Sequence, residues 1–290
     1  MAPVPGQRST EAGPKDGWPL QTGFDRFYGI LDGFTNFHQP HRLYEDNHAL
    51  DIDEYPDDYY FTDDLTDRAL GMVREVRDGH PTRPWFLYFS HGAVHAPLQA
   101  RPADLEKYRG RYEAGWDEVR RLRFERQKTL GIFDDDVVLP LRNTEENYAV
   151  RAWDDLTVAE KEVFARYQEV FAAMVDNVDQ NFGRLRDGLE AMGEWDNTLV
   201  VFTSDNGGSR EGLDNGTSAY FRTLISQIRK IRWTRWSWTT PAWTCWAVLR
   251  LWPTTRRGGP WCRAPRSGFT RSTPTRAAIR CRSSCPRGRA

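Results

Sequence analysis

The stretch Leu199 to Gly208 reads LVVFTSDNGG, an apolar run that ends in a carboxylate, a carboxamide and two glycines. Leu199, Val200, Val201 and Phe202 form a continuous β-branched-rich segment, the pattern of a strand covered on both faces of a parallel sheet. Asp205 and Asn206 follow at its C-terminal end. In open α/β sheets ligands bind at that end, because the loops leaving the strand tips line a crevice. Ser-Asp-Asn-Gly has two readings. It can be a plain turn, since Asx side chains bond their own backbone two residues on and Gly tolerates positive φ. It can also be half of a hard-cation site, since Asp and Asn present the oxygens that calcium or magnesium prefers and Gly207 permits close approach.

The surrounding pattern alternates helices with strands. TDDLTDRALGMVREVRDG, Thr62 to Gly79, places Leu65, Ala69, Met72, Val73 and Val76 on one face, with acids in its first turn and Gly79 at its end, and so predicts an amphipathic helix. Pro84 introduces WFLYFS, a second buried strand over Trp85 to Ser90, which leaves through the loop HGAVHAP. An Arg-rich helix is predicted over about Asp117 to Leu130. Thr157 and Glu160 form a capping box. They start a long helix whose stripe is Val163, Tyr167, Val170, Phe171, Met174, Val178, Leu185 and Leu189, and Gly193 stops it. Helix, strand, helix, strand predicts a parallel α/β arrangement. In it the loops His91 to Pro97 and Ser204 to Gly208 sit at neighbouring strand tips.

Composition divides the chain. Residues 1–220 carry all 41 acidic residues against 24 of the 40 basic ones, a formal charge of −17, whereas residues 221–290 carry 16 basic residues and no acid. The same tail holds seven of the 12 Trp and all four Cys. With no Cys, the body gives no sign of an oxidising compartment. No apolar run is long enough to span a membrane, and MAPVPGQRST lacks the apolar core of a signal peptide. These features predict a cytoplasmic protein with no membrane contact.

GFDRFYG at Gly23 to Gly29, WFLYFSHGAVHAP at Trp85 to Pro97, the helix around YQEVFAAMVDNVDQNFGRL and DNTLVVFTSDNGGSREG at Asp196 to Gly212 together resemble the middle of a bacterial arylsulfatase. The resemblance runs in order from about Trp18 to about Tyr220. It implies an α/β fold of the sulfatase and alkaline-phosphatase-like kind, a partial sheet sandwiched by helices. It also implies hydrolysis of small-molecule sulfate monoesters, with Asp205 and Asn206 as two ligands of a calcium ion and His95 contacting the ester near its leaving-group oxygen, as donor or general acid. A divalent ion and cationic donors suit a group whose negative charge shifts in the transition state.

The chain also departs from that family. The paired metal-binding Asp, the C-x-P-S-R or S-x-P-S-R segment whose Cys or Ser becomes formylglycine, and the G-K-W-H-L segment do not occur before Trp18. Met1 is therefore read as an internal start, and the chain as catalytically incomplete by itself. CRAPR and CRSSCPR in the tail have neither the pattern nor the position of a nucleophile site. Residues 1–222 are read as the sulfatase-like domain fragment and 223–290 as a disordered Trp/Arg-rich tail. Codons can be chosen for the tail from Trp261 so that a shifted frame spells PGAPFRLYQVNTHAGGH, similar to the family's TPFR-x-Y-x(3)-TH-x-GG, so the tail is read as out of frame. Two rival functions stay open: a phosphodiesterase or phosphonate hydrolase of the same superfamily, and a non-catalytic protein that binds nucleic acid through the tail. No nucleic-acid partner is expected on the leading reading.

Overall fold

The computed structural model describes residues 12–144 and 149–207 and the backbone of 276–281. Its long helices fall where local signals place them. Helix α1 spans Phe61–Gly79, one residue from the predicted start, and buries Leu65, Ala69, Met72 and Val73, with Asp63 and Asp64 in its first turn and Arg77 in its last. Helix α2 is the short Pro102–Glu106, and α3 covers Gly115–Thr129. Helix α4 runs from Val158 to Ala191.

Both ends of α4 are closed by side chain and backbone chemistry. The Thr157 N–H donates to Glu160 Oε2 at 2.9 Å and the Glu160 N–H to Thr157 Oγ1 at 3.3 Å, the reciprocal bonds of a capping box. Arg151 and then Thr157 hydrogen-bond the Glu160 carboxylate and hold its pKa down to about 2. At the other end Gly193 takes φ +71°. Its N–H donates to the Glu190 carbonyl, and that of Glu194 reaches Leu189, which is a Schellman termination.

Among the described residues the sheet is five-stranded in the order β3-β2-β1-β5-β4, where β1 is Arg26–Gly29, β2 Tyr44–Glu45, β3 His48–Ala49, β4 Trp85–Phe89 and β5 Arg276–Cys281. Each pairing is antiparallel, with Leu87 opposite Ile279 and Tyr28 opposite Glu45. Three expectations are corrected here. Leu199 to Thr203 forms no strand, and Leu199, Val201 and Phe202 are 90%, 78% and 77% exposed. The neighbour of β4 is therefore β5, antiparallel, rather than a parallel strand ending at Asp205. Nor is β4 covered on both faces. As an edge strand it alternates, leaving Phe86 and Tyr88 exposed. An apolar run supplies strand propensity, but the ladder partner supplies the strand. The segment 276–281 falls in the stretch predicted to lack structure and is a strand; the other tail residues lie outside those described.

Contacts divide the chain into two units, residues 1–94, 175–205 and 270–290 in one and 95–174 and 206–269 in the other. The first holds Trp18, Phe27, Leu31 and Tyr44 in one apolar cluster, with the Trp18 and Tyr44 rings edge to face at 5.2 Å. Its part of α4 meets α1 through polar groups: Asp63 Oδ1 accepts from Asn181 at 2.7 Å and from Asn177 at 3.3 Å, and Arg184 donates to Asp67 at 2.5 Å. Arg77 and the Trp85 indole N–H both donate to Glu194, tying the start of β4 to the turn after α4. The second unit centres on Trp153, Leu156 and Ala165, with Trp116 T-shaped on Trp153 at 4.9 Å. Glu169, itself buried, accepts the Gly110 N–H at 2.8 Å. Among the described residues no helix is long and apolar enough to cross a membrane.

Candidate functional site

The chain leaves β4 through His91 to Pro97, which contains no helix or strand. His91 belongs to the first unit. Its ring stands edge-on to Phe89 at 4.4 Å, and Nδ1 is buried without a hydrogen-bond partner. Burial pushes its pKa down to about 4, because no nearby anion offsets the cost of the cation, so the ring is neutral near pH 7. Sequence reasoning named this loop but gave His91 no role. Only the depth at which the strand tip places the ring distinguishes it from any other loop histidine.

His95 is the first residue of the second unit and is half-buried. Pro97, Leu98 and Gln99 behind it are buried and anchor the loop. The His95 Nδ1 lies 2.7 Å from the Ala96 carbonyl oxygen. A carbonyl only accepts, so Nδ1 carries hydrogen, and Nε2 is an acceptor in the neutral ring and a donor only in the imidazolium. Any proton that His95 gives through Nε2 therefore comes from the cationic ring.

Asp205 closes the middle stretch of the first unit, and Asn206 opens the last stretch of the second. Both are exposed, in the bend that follows Leu199–Thr203. That segment is held to α4 through Phe202, whose ring meets Phe182 at 6.2 Å. A carboxylate and a carboxamide oxygen are the donor types a hard cation takes. Among the described residues no cluster of three or more His, Cys, Asp and Glu side chains is arranged to hold a metal. Two such donors suit a hard cation by type, and they are a minority of the six to eight oxygens that a calcium ion takes.

The family profile described as "Sulfatase" matches residues 7–230 of this chain. An uncharacterized sulfatase of Schizosaccharomyces pombe is 33% identical over 213 residues, covering 69% of this chain and 37% of the relative. An arylsulfatase of Klebsiella aerogenes is 33% identical over 200 residues, covering 65% of this chain and 41% of the relative. Arylsulfatase J of mouse is 37% identical over 107 residues, covering 33% of this chain and 17% of the relative. The chain thus spans about two-fifths of the length of the first two.

Proposed function

The chain belongs to the sulfatase family, a mixed helix-and-sheet fold of the alkaline-phosphatase-like kind, and from that premise we propose that its chemistry is hydrolysis of small-molecule sulfate monoesters of the aryl type. The observation that carries the reading is the order of its polar loops within the matched span: His-Ala-Pro at 95–97, in the loop that follows β4, then Ser-Asp-Asn-Gly at 204–207. Similarity to an arylsulfatase supports the aryl preference. The phosphodiesterase alternative has no such support, and the nucleic-acid reading rests on tail residues that lie outside those described.

In this proposal Asp205 and Asn206 hold a calcium ion, which when bound neutralises charge on the sulfate oxygens. His95 binds the ester at the bridging oxygen. Its Nδ1–H bond to Ala96 fixes the ring plane, and Nε2–H of the imidazolium donates to the oxygen that becomes the leaving group. Burial of Pro97 to Gln99 keeps the ring from swinging with the loop. A sulfatase nucleophile is a separate requirement. Neither C-x-P-S-R nor S-x-P-S-R occurs in these 290 residues, so in this proposal they do not supply the formylglycine hydrate, and nucleophilic catalysis divides the hard step into two.

The test is aryl-sulfate hydrolysis by the 290-residue polypeptide and by one extended upstream with paired Asp and a C-x-P-S-R segment matured to formylglycine. The first should not exceed buffer, with or without calcium. The second should turn over and lose most of its rate in the Asp205→Ala variant. Robust turnover by the 290-residue chain, abolished by Asp205→Ala, would refute the account of the nucleophile.

A further inference from the structure

We infer that Asn206 is a site of spontaneous deamidation, driven by its own exposure and by the glycine that follows it. Residues 198–207 contain no helix or strand, and Asn206 is exposed within them. Gly207 has no Cβ to obstruct its own amide nitrogen as that nitrogen swings toward the Asn206 side chain. The other asparagines of the described residues differ in the residue that follows, and some also in burial. None of them precedes glycine. Asn177 and Asn181 are buried in α4, where Asp63 accepts from both. The Asn36 Oδ1 accepts the N–H groups of His38 and Gln39.

The reaction needs only water. The Gly207 amide nitrogen forms a bond to Asn206 Cγ, the Cγ–Nδ2 bond breaks, and ammonia departs with the amide proton. Water then opens the resulting five-membered imide at either carbonyl. One opening leaves aspartate at position 206. The other leaves isoaspartate, in which the main chain runs through the former side chain and gains a methylene. A neutral carbonyl donor becomes a carboxylate in the first case, and the spacing from Asp205 to Gly207 changes in the second. The consequence for calcium rests on the ligand reading proposed above, whereas the modification does not.

Peptide mapping of the whole chain tests this, after warm incubation at neutral pH in calcium-free buffer, folded and in urea. Arg186 and Arg210 release Asn206 on a tryptic peptide of residues 187–210, apart from the other Asn-Gly pair at Asn215 and Gly216. The folded chain should gain about 1 Da on that peptide, localised to position 206 by fragmentation, with isoaspartate detected by methyltransferase labelling. Its rate should lie within about tenfold of the urea rate, and Gly207→Ala should slow it by about tenfold or more. A peptide 187–210 that keeps its mass in the folded chain while the urea sample converts overturns the inference, as does a Gly207→Ala rate equal to that of the parent. Repeating the incubation with calcium chloride on the polypeptide extended upstream with the paired Asp separates the two proposals. Slower conversion supports Asn206 as a ligand, and unchanged conversion removes it as a ligand while the deamidation stands.

Discussion

Gly115→Ala should destabilise the second unit through a clash that the sequence does not announce. Gly115 opens α3 at φ +81°, and a Cβ built there would lie 2.1 Å from Trp153 Cδ2 and 2.2 Å from its Cγ. Two costs then add. An L side chain in the left-handed region costs about 1–2 kcal/mol, and forcing a packed ring aside costs typically about 1–3 kcal/mol more. Trp153 has little room to yield, since it is buried and meets Trp116 edge to face at 4.9 Å. Gly131 separates the terms. It takes φ +69° with nothing within 4 Å of an added Cβ, so Gly131→Ala should show the backbone cost alone. With a urea slope of about 1–3 kcal/mol per molar, a steric difference of about 2 kcal/mol lowers the Gly115→Ala midpoint by roughly 1 M relative to Gly131→Ala. Urea unfolding followed by far-ultraviolet circular dichroism reads both. Adding Trp153→Ala should remove the extra penalty in a double-mutant cycle. Equal losses at positions 115 and 131, or no coupling to Trp153, would refute the reasoning.

Asp63→Ala should cost about 2–4 kcal/mol, because hydrogen bonds to a charged acceptor contribute about 1.5–3 kcal/mol and an acid is lost from the first turn of α1; thermal or urea unfolding checks it against Asp67→Ala, which lies at the exposed rim of the same network. His91 has a folded pKa of about 4 against the ordinary 6.5, so the unfolded chain takes up the proton first and stability declines as pH falls through that window, by up to about 1.4 kcal/mol per unit. His91→Phe should flatten that decline in urea titrations run at several pH values, and an unchanged slope would remove the buried neutral ring as its cause. In the extended, formylglycine-bearing polypeptide, His95→Gln should slow aryl sulfates with poor leaving groups by about 100-fold or more and leave good leaving groups nearly unaffected. A leaving-group-independent loss would contradict the donor role.

The helices were legible because their signals are local. The apolar period of α1, the reciprocal Thr157 and Glu160 bonds and the positive φ of Gly193 each involve residues within one or two turns. His95, Asp205 and Asn206 are candidates by kind and order alone, whereas family membership is written in the span 7–230 that contains them. Which strands pair is a different matter. WFLYF and LVVF are equivalent as patterns, yet β4 has a ladder with residues 276–281, nearly two hundred positions later, while Leu199 to Thr203 forms no strand and is exposed. Strand pairing joins backbone groups from distant segments, and no period within one segment encodes its partner. Likewise, two histidines four residues apart in one loop look alike on paper. The fold buries the His91 Nδ1 beside Phe89 and gives the His95 Nδ1 a carbonyl, because solvent access and partner geometry are set by what surrounds a side chain and not by its own identity.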